Sequence, residues 1–298
     1  MTGAPLISVV IPSYNAQATI RRCLESVFDQ NLDAGCEVIV VDSSDDGTDQ
    51  IVRQAFPQAR LLRLEGRTSS GAARNHGVGS AKGAYIALTD ADCLVAKDWL
   101  FRLYHRHQEA DYAAVGGSIG NGTPGSPVGS ADYLLEFSEF LPQSPERLVA
   151  NIPTSNICYR SSVLAGVRFD GGPQGVYLTS DDRILNWELF RRGARLLFDP
   201  AIQVAHLNRT RLGAFLSHQY LLGRSSCWAR KRTDLPGRIF LDYPFLGPAI
   251  PSLRIARIVA RLSRIDRRAA PRFLALSPLI FLGATAWSAG FVREALRR

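Results

Sequence analysis

Four short apolar runs, each followed by a segment of helical spacing, fill the first 108 residues and restrict the fold more than any other feature of the chain. The runs are LISVVIP (6–12), EVIVVD (37–42), ARLLRL (59–64) and AYIALTD (84–90). The segments after them cover 19–30, 47–56, 71–81 and 97–108. In the first, Ile20, Leu24, Val27 and Phe28 recur at helical spacing, and the third is broken by glycines. Strands that alternate with short helices build βαβ units on a mainly parallel sheet. The expected fold class is α/β, a mainly parallel sheet flanked by helices, with ligands beyond the carboxyl ends of the strands.

Those ends are polar and acidic. The first run leads into Pro12-Ser13-Tyr14-Asn15, the second into Asp42-Ser43-Ser44-Asp45-Asp46-Gly47-Thr48, the fourth into Asp90-Ala91-Asp92. The loop after the first run has neither G-x-G-x-x-G nor G-x-x-x-x-G-K-[ST], so neither a dinucleotide fingerprint nor a P-loop is supported there. A carboxylate after the second strand can accept hydrogen bonds from a ribose or a base N–H. Two carboxylates after the fourth can hold a hard divalent cation, Mn2+ or Mg2+, through oxygen. Such a cation would neutralise a diphosphate that the acids alone would repel. The competing reading is a solvated turn.

Beyond residue 200 the composition changes. Residues 1–200 hold 18 Lys and Arg against 23 Asp and Glu (net −5), and residues 201–298 hold 17 against 4 (net +13). Residues 273–292, FLALSPLIFLGATAWSAGFV, carry no charge and have about the length of a membrane span. Ahead of them, 252–268 sets Leu253, Ile255, Ile258, Val259, Leu262 and Ile265 against Arg254, Arg257, Arg261, Arg264 and Arg268. A basic face on an apolar helix suits the lipid interface; the alternative is a helical pair packed on the body of the protein. No aromatic residues interleave with these arginines at base-stacking spacing, so no nucleic acid partner is expected. Residues 1–11 lack a signal-peptide pattern, and the five scattered cysteines suggest a reducing compartment. The expected organisation is a catalytic domain at 1–210 and a helical membrane-associating region at 211–298, on the cytoplasmic face of the membrane, peripheral or with one C-terminal hydrophobic segment.

Five segments in order carry a family resemblance: ISVVIPSYNAQATIRRCLESV, VIVVDSSDDGTDQIV, GAARNHGVGSAKGAYIALTDADC, TSNICYRSSVL and SDDRILNWELFRRGARLLFDPAIQVAH. Together they span about residues 7–206, and the chain resembles the family 2 glycosyltransferases of the GT-A fold. The resemblance implies that Pro12 and Tyr14 lie beside the nucleotide base and that Asp42 hydrogen-bonds the base. It places Arg74 and Asn75 near the donor; for Arg74 the alternative is a surface ion pair. Asp90-Ala91-Asp92 matches the D-x-D element, in which Asp92 binds the metal while Asp90 touches ribose or metal-bound water. Asp46 and Thr48 match loop positions of the family but read equally as helix-start residues. Asp181 and Asp182 match its Glu-Asp motif, Asp182 as the base and Asp181 as a shorter replacement for Glu; two acids heading a helix are also favoured by its dipole. His206 matches a position that in many relatives completes the metal shell or contacts the diphosphate; the alternative is a structural histidine. Trp187 reads as a core residue or an acceptor wall, and His76, His105, His107 and His218 carry no context.

The implied activity is metal-dependent transfer of a sugar, from an expected UDP-sugar to a hydroxyl or phosphate acceptor, with inversion. A cell-surface glycan or lipid-linked sugar pathway fits the basic tail. Two alternatives differ in class. A sugar nucleotidyltransferase would carry a glycine- and lysine-rich loop after the first strand, and PSYNAQATI is not one. A binding scaffold without turnover has no need of Asp42, Asp90, Asp92 and Asp182 together. Segment 116–130, GGSIGNGTPGSPVGS, reads as a glycine- and serine-rich loop beside the donor sugar.

Overall fold

A computed structural model describes residues 4–32, 35–172, 179–265 and 270–297. In chain order the elements are β1 (Ile7–Ser13), α1 (Ile20–Phe28), β2 (Cys36–Asp42), α2 (Thr48–Ala55), β3 (Arg60–Arg63), α3 (Ser70–Ser80) and β4 (Tyr85–Leu88). Then come β5 (Cys93–Val95), α4 (Trp99–Glu109), β6 (Ala114–Asn121), α5 (Pro127–Phe137), β7 (Arg147–Val149), β8 (Ile157–Arg160), α6 (Ser161–Leu164), α7 (Asp181–Arg191) and β9 (Leu196–His206). The chain continues through α8 (Leu212–Arg232), α9 (Ile239–Asp242), α10 (Ile250–Ile265) and α11 (Ala270–Ala295). All four runs and all four helical segments of the first 108 residues form where their periodicity predicts. The short β5, directly after Asp92, was not signalled, because three residues carry too little pattern.

Among the described residues nine strands join one sheet in the order β3-β2-β1-β4-β8-β6-β9-β5, with β7 beside β9. The half built from βαβ units is parallel: β1 pairs with β2 and β4, and β2 with β3. The later strands reverse, with β8 antiparallel to β4 and β6, and β7 antiparallel to β9. Val9, Val10, Ile11, Val38, Ile39, Val40 and Val41 are all buried, as expected for strands covered on both faces.

The chain divides into two compact units. The first comprises Met1–Gly120, Pro145–Tyr177 and Asp181–Ala205; the second Asn121–Ser144, Leu178–Ser180 and His206–Arg298. In the first, α3 lies close on the sheet because Gly77 faces Val10, where a Cβ would come within 2.3 Å of Val10 Cγ1. Segment 116–130 is not a loop as a whole: Gly116 to Asn121 belong to β6, and Pro127 opens α5. Its glycines serve strand packing. A Cβ on Gly117 would sit 1.9 Å from the Ile202 carbonyl oxygen. Gly117→Ala is therefore expected to destabilise the chain by about 2 kcal/mol or more, since backbone has to move; a denaturation midpoint within error of wild type would refute this.

In the second unit α11 packs along α8 through small residues. A Cβ on Gly223 would lie 1.9 Å from the Trp287 carbonyl oxygen, and one on Gly290 2.0 Å from that of Tyr220. Ile280, Ala284 and Phe291 are buried. Arg224 Nε donates to Glu294 Oε2 at 2.9 Å, and Lys231 Nζ donates to the Glu294 carbonyl at 2.6 Å, pinning the end of α11. The opposite side of α11 exposes Leu274, Phe281 and Leu282. Residues 273–295 are long and apolar enough to cross a membrane.

Candidate active site

The carboxyl edge of the parallel half gathers most of the residues singled out in the sequence. Strand register sets Ser13 beside Asp42 and Asp42 beside Arg63. The loops after β1 and β2 are clasped together. Asn15, at φ 50°, donates its N–H to Ser44 Oγ at 2.8 Å and accepts from the Asp45 N–H at 3.0 Å. Asp46 accepts from the N–H groups of Gln17, at 3.0 Å, and Thr48, at 3.1 Å. Asp46 therefore fastens the loop and the start of α2. Pro12 is half-buried. Tyr14 is exposed, with the Arg67 guanidinium 4.7 Å from its ring centre.

Asp42 is fully buried. Its carboxylate accepts from Ser44 Oγ at 2.5 Å, from the Ser44 N–H at 3.3 Å and from Arg63 Nη1 at 2.6 Å.

Asp90, Ala91 and Asp92 make the turn from β4 to β5, closed by the Cys93 N–H donating to the Asp90 carbonyl at 3.0 Å. Ala91 is buried and Asp92 half-buried. Helix α3, capped by Ser69, carries Arg74 to this turn. Arg74 is 4% exposed, and its guanidinium joins two acids far apart in sequence. Nη2 donates to Asp90 Oδ1 at 2.7 Å and Nη1 to Asp181 Oδ2 at 2.6 Å. Ser70 Oγ donates to Asp181 Oδ1 at 3.1 Å, so both oxygens of Asp181 are engaged. Gly71 permits the approach of α7, since a Cβ there would lie 3.0 Å from Asp181 Cβ. Asn75 clamps the backbone instead: Nδ2 donates to the Phe169 carbonyl at 2.8 Å, and Oδ1 accepts the Phe169 N–H at 2.9 Å.

The two adjacent acids of α7 thus differ in environment. Asp181 is held in an ion pair. Asp182 accepts the Arg183 N–H at 2.6 Å. Burial, then the neighbouring Asp181 charge, push its carboxyl up to about 6. A carboxyl poised there is suited to take a proton near neutral pH.

His206 ends β9 and belongs to the second unit. It is buried, with Phe137 4.9 Å from its ring and Nδ1 3.0 Å from Asn208 Oδ1. Asn208 Nδ2 donates to Asn121 Oδ1, Thr123 Oγ1 and the His206 carbonyl. That set of acceptors fixes which way the amide faces. With the amide so oriented, Asn208 Oδ1 is the acceptor and His206 Nδ1 the donor of their contact.

Two groups without a sequence signal gain a setting. His218 Nε2 lies 3.0 Å from Glu136 Oε2, beside buried Asp132, which accepts from Gln219 Nε2 at 2.8 Å. His107 is buried against the Cys158 carbonyl, and burial pushes it down to about 4, so it serves as a neutral core residue. Trp187 is half-buried, its ring 5.7 Å from that of the exposed Phe190.

Solved structures share this architecture. The mannosyltransferase PcManGT of Pyrobaculum calidifontis, in complex with GDP-Man and Mn2+, superposes with a TM-score of 0.64 at 20% identity, over 100% of this chain and 89% of its own. GalNAc-T7, with UDP, GalNAc and Mn2+, gives 0.54 at 18% identity over 71% and 45%. The fold is that of the GT-A glycosyltransferases. The chain belongs to glycosyl transferase family 2, whose model matches residues 8–171. A relative by sequence, the succinoglycan biosynthesis protein ExoO of Rhizobium meliloti, is 35% identical over 159 residues, 53% of this chain and 44% of that protein. The matched stretches span less than half the length of such curated relatives.

Proposed function

We propose that the chain transfers a sugar from a nucleotide-sugar donor, a UDP-sugar by first choice, to a hydroxyl or phosphate acceptor with inversion, in the synthesis of a cell-surface glycan or lipid-linked sugar. The observation that carries this reading is the buried Arg74 joining Asp90 and Asp181, which brings the D-x-D turn and the head of α7 to one edge of the sheet. A binding scaffold gains nothing from a carboxyl held near neutrality beside that pair. In this reading Asp182 takes the proton of the attacking hydroxyl, and Asp181 and Asp90 keep Arg74 in place. Pro12, Tyr14 and Asp42 frame the nucleotide end, and Ala91 lets the donor approach the turn.

A divalent cation, Mn2+ or Mg2+, would be held through a carboxylate oxygen of Asp92, the hard donor of the D-x-D turn; the resemblance also implies His206 as a ligand. Bound there, it would act as a Lewis acid toward the leaving diphosphate. The two solved structures named above are complexes with Mn2+.

The test is nucleoside diphosphate release from UDP-, GDP- and dTDP-sugars with Mn2+ or Mg2+. Release from one donor, lost with chelator and in Asp92→Asn, is expected. Absence of release and of donor-induced thermal stabilisation with every nucleotide would reject the assignment.

The acceptor is proposed to be membrane-located, with the second unit resting on the cytoplasmic membrane surface. The exposed Leu274, Phe281 and Leu282 of α11 and the exposed Arg257 and Arg264 of α10 support this. The full chain is expected to co-sediment with anionic vesicles and to be released by high salt. Failure to bind anionic vesicles at low salt would count against it.

A further inference from the structure

Helix α5 carries two acids one turn apart, Asp132 and Glu136, and both meet side chains of α8. His218 Nε2 lies 3.0 Å from Glu136 Oε2, and Gln219 Nε2 donates to Asp132 Oδ1 at 2.8 Å. A carboxylate oxygen from each acid and a ring nitrogen of His218 lie within 4.8 Å of one another. Asp132 is fully buried. The Arg209 N–H donates to Asp132 Oδ2 at 3.3 Å, but Arg209 Nη1 stands 3.9 Å from Asp132 Oδ2 and 3.8 Å from Glu136 Oε2. Burial, then the charge of Glu136, push the Asp132 carboxyl up, so the cations present do not offset both acids.

Gln219 supplies a second, independent observation. It is fully buried, and its Oε1 has no hydrogen-bond partner among the described residues. Buried acceptors are ordinarily satisfied, so this one calls for a ligand. A half-turn of the amide exchanges Oε1 with Nε2 and brings Oε1 into the place 2.8 Å from Asp132 Oδ1. Two oxygens at that separation repel each other unless a cation lies between them. It is also the spacing of adjacent oxygen ligands, which are about 3 Å apart in a shell of about 2.1 Å radius.

We propose that Asp132, Glu136, His218 and Gln219 form a site for a divalent transition-metal ion, Zn2+ by the character of the ligands, which clips α5 to α8. One imidazole with carboxylates suits Zn2+ better than Mg2+. The ion balances the two carboxylates, and the proton of the His218–Glu136 contact passes to solvent as Nε2 becomes a ligand. Helix α5 belongs to Asn121–Ser144 and α8 to His206–Arg298, so the ion ties together two separate stretches of the second unit. Asp92 takes no part, and the site does not depend on the sugar-transfer reading.

The test uses the full chain carrying Asp92→Asn, which removes the carboxylate of the D-x-D turn. It is stripped with chelator and titrated with Zn2+ against a chromophoric zinc indicator. One equivalent is expected to bind, and Zn2+ should raise the melting temperature. Adding Glu136→Gln or His218→Gln should weaken binding by about 100-fold or more, above the usual cost of losing an outer-shell partner, and abolish the thermal shift. Gln219→Met leaves every charge in place and keeps the test open if those variants fold poorly; it should weaken Zn2+ binding by about tenfold or more. No Zn2+ bound by the Asp92→Asn chain, or the same affinity in all three added variants, would overturn the proposal and leave the cluster a network of ion pairs.

Discussion

Asp182→Asn is expected to lower the rate of sugar transfer by about 10²–10⁴-fold, the usual contribution of a positioned general base, while donor binding persists. The amide keeps the size of the side chain and loses only the capacity to take a proton. In wild type the pH dependence of kcat/KM should rise with a midpoint near 6, where burial and the Asp181 charge hold the carboxyl. Asp181→Asn should move that midpoint down, because it removes the like charge. Stability should run the other way. Since folding raises this group above its ordinary value of 3.8, the folded chain binds the proton more tightly than the unfolded one. The contribution of Asp182 to stability is therefore greatest below about pH 4, declines as pH rises toward 6, and is unfavourable above. Asp182→Asn should be less active and yet no less stable than wild type at pH 7.5. A rate within threefold of wild type would remove Asp182 from the role of base.

Arg74→Met is expected to cost about 3–5 kcal/mol, the range for deleting one partner of a buried ion pair. The shape of the stem is kept, but Asp181, which is 3% exposed, is left without its cation. Combining Arg74→Met with Asp181→Asn should recover part of the loss, since the buried charge then disappears with its partner. Chemical denaturation of the three variants measures this coupling. Strict additivity of the single effects would show that the two side chains do not depend on each other.

How much of this was legible in the chain varies from residue to residue. Strands β1 to β4 and their helices were readable because burial on both faces demands continuous apolar runs. The acids after β2 and β4 were readable because they interrupt those runs. The pairing of Arg74 with Asp181 was not, since 107 positions separate them and nothing local in GAARN names a partner. The resemblance separated Asp181 from Asp182 by role, but their different environments were hidden: Arg74 and Ser70 hold Asp181, and Asp182 accepts the N–H of its neighbour Arg183. Glycines at 116 and 117 suggested a loop, whereas they allow β6 to lie against β8 and β9.

Sequence alone determined the class of fold and the edge at which the candidate site lies, since periodicity and carboxyl-end polarity are local properties of the chain. It also determined the basic, apolar character of the C-terminal third. Tertiary structure decided what each charged group does. Parallel register placed Arg63 on Asp42, α3 delivered Arg74 to two acids, and the packing of Asn121–Ser144 with the C-terminal helices made the second unit discontinuous in sequence. The reason is electrostatic: the state of a carboxylate depends on burial and on charges a few ångströms away, and those neighbours are chosen by the fold rather than by position in the chain.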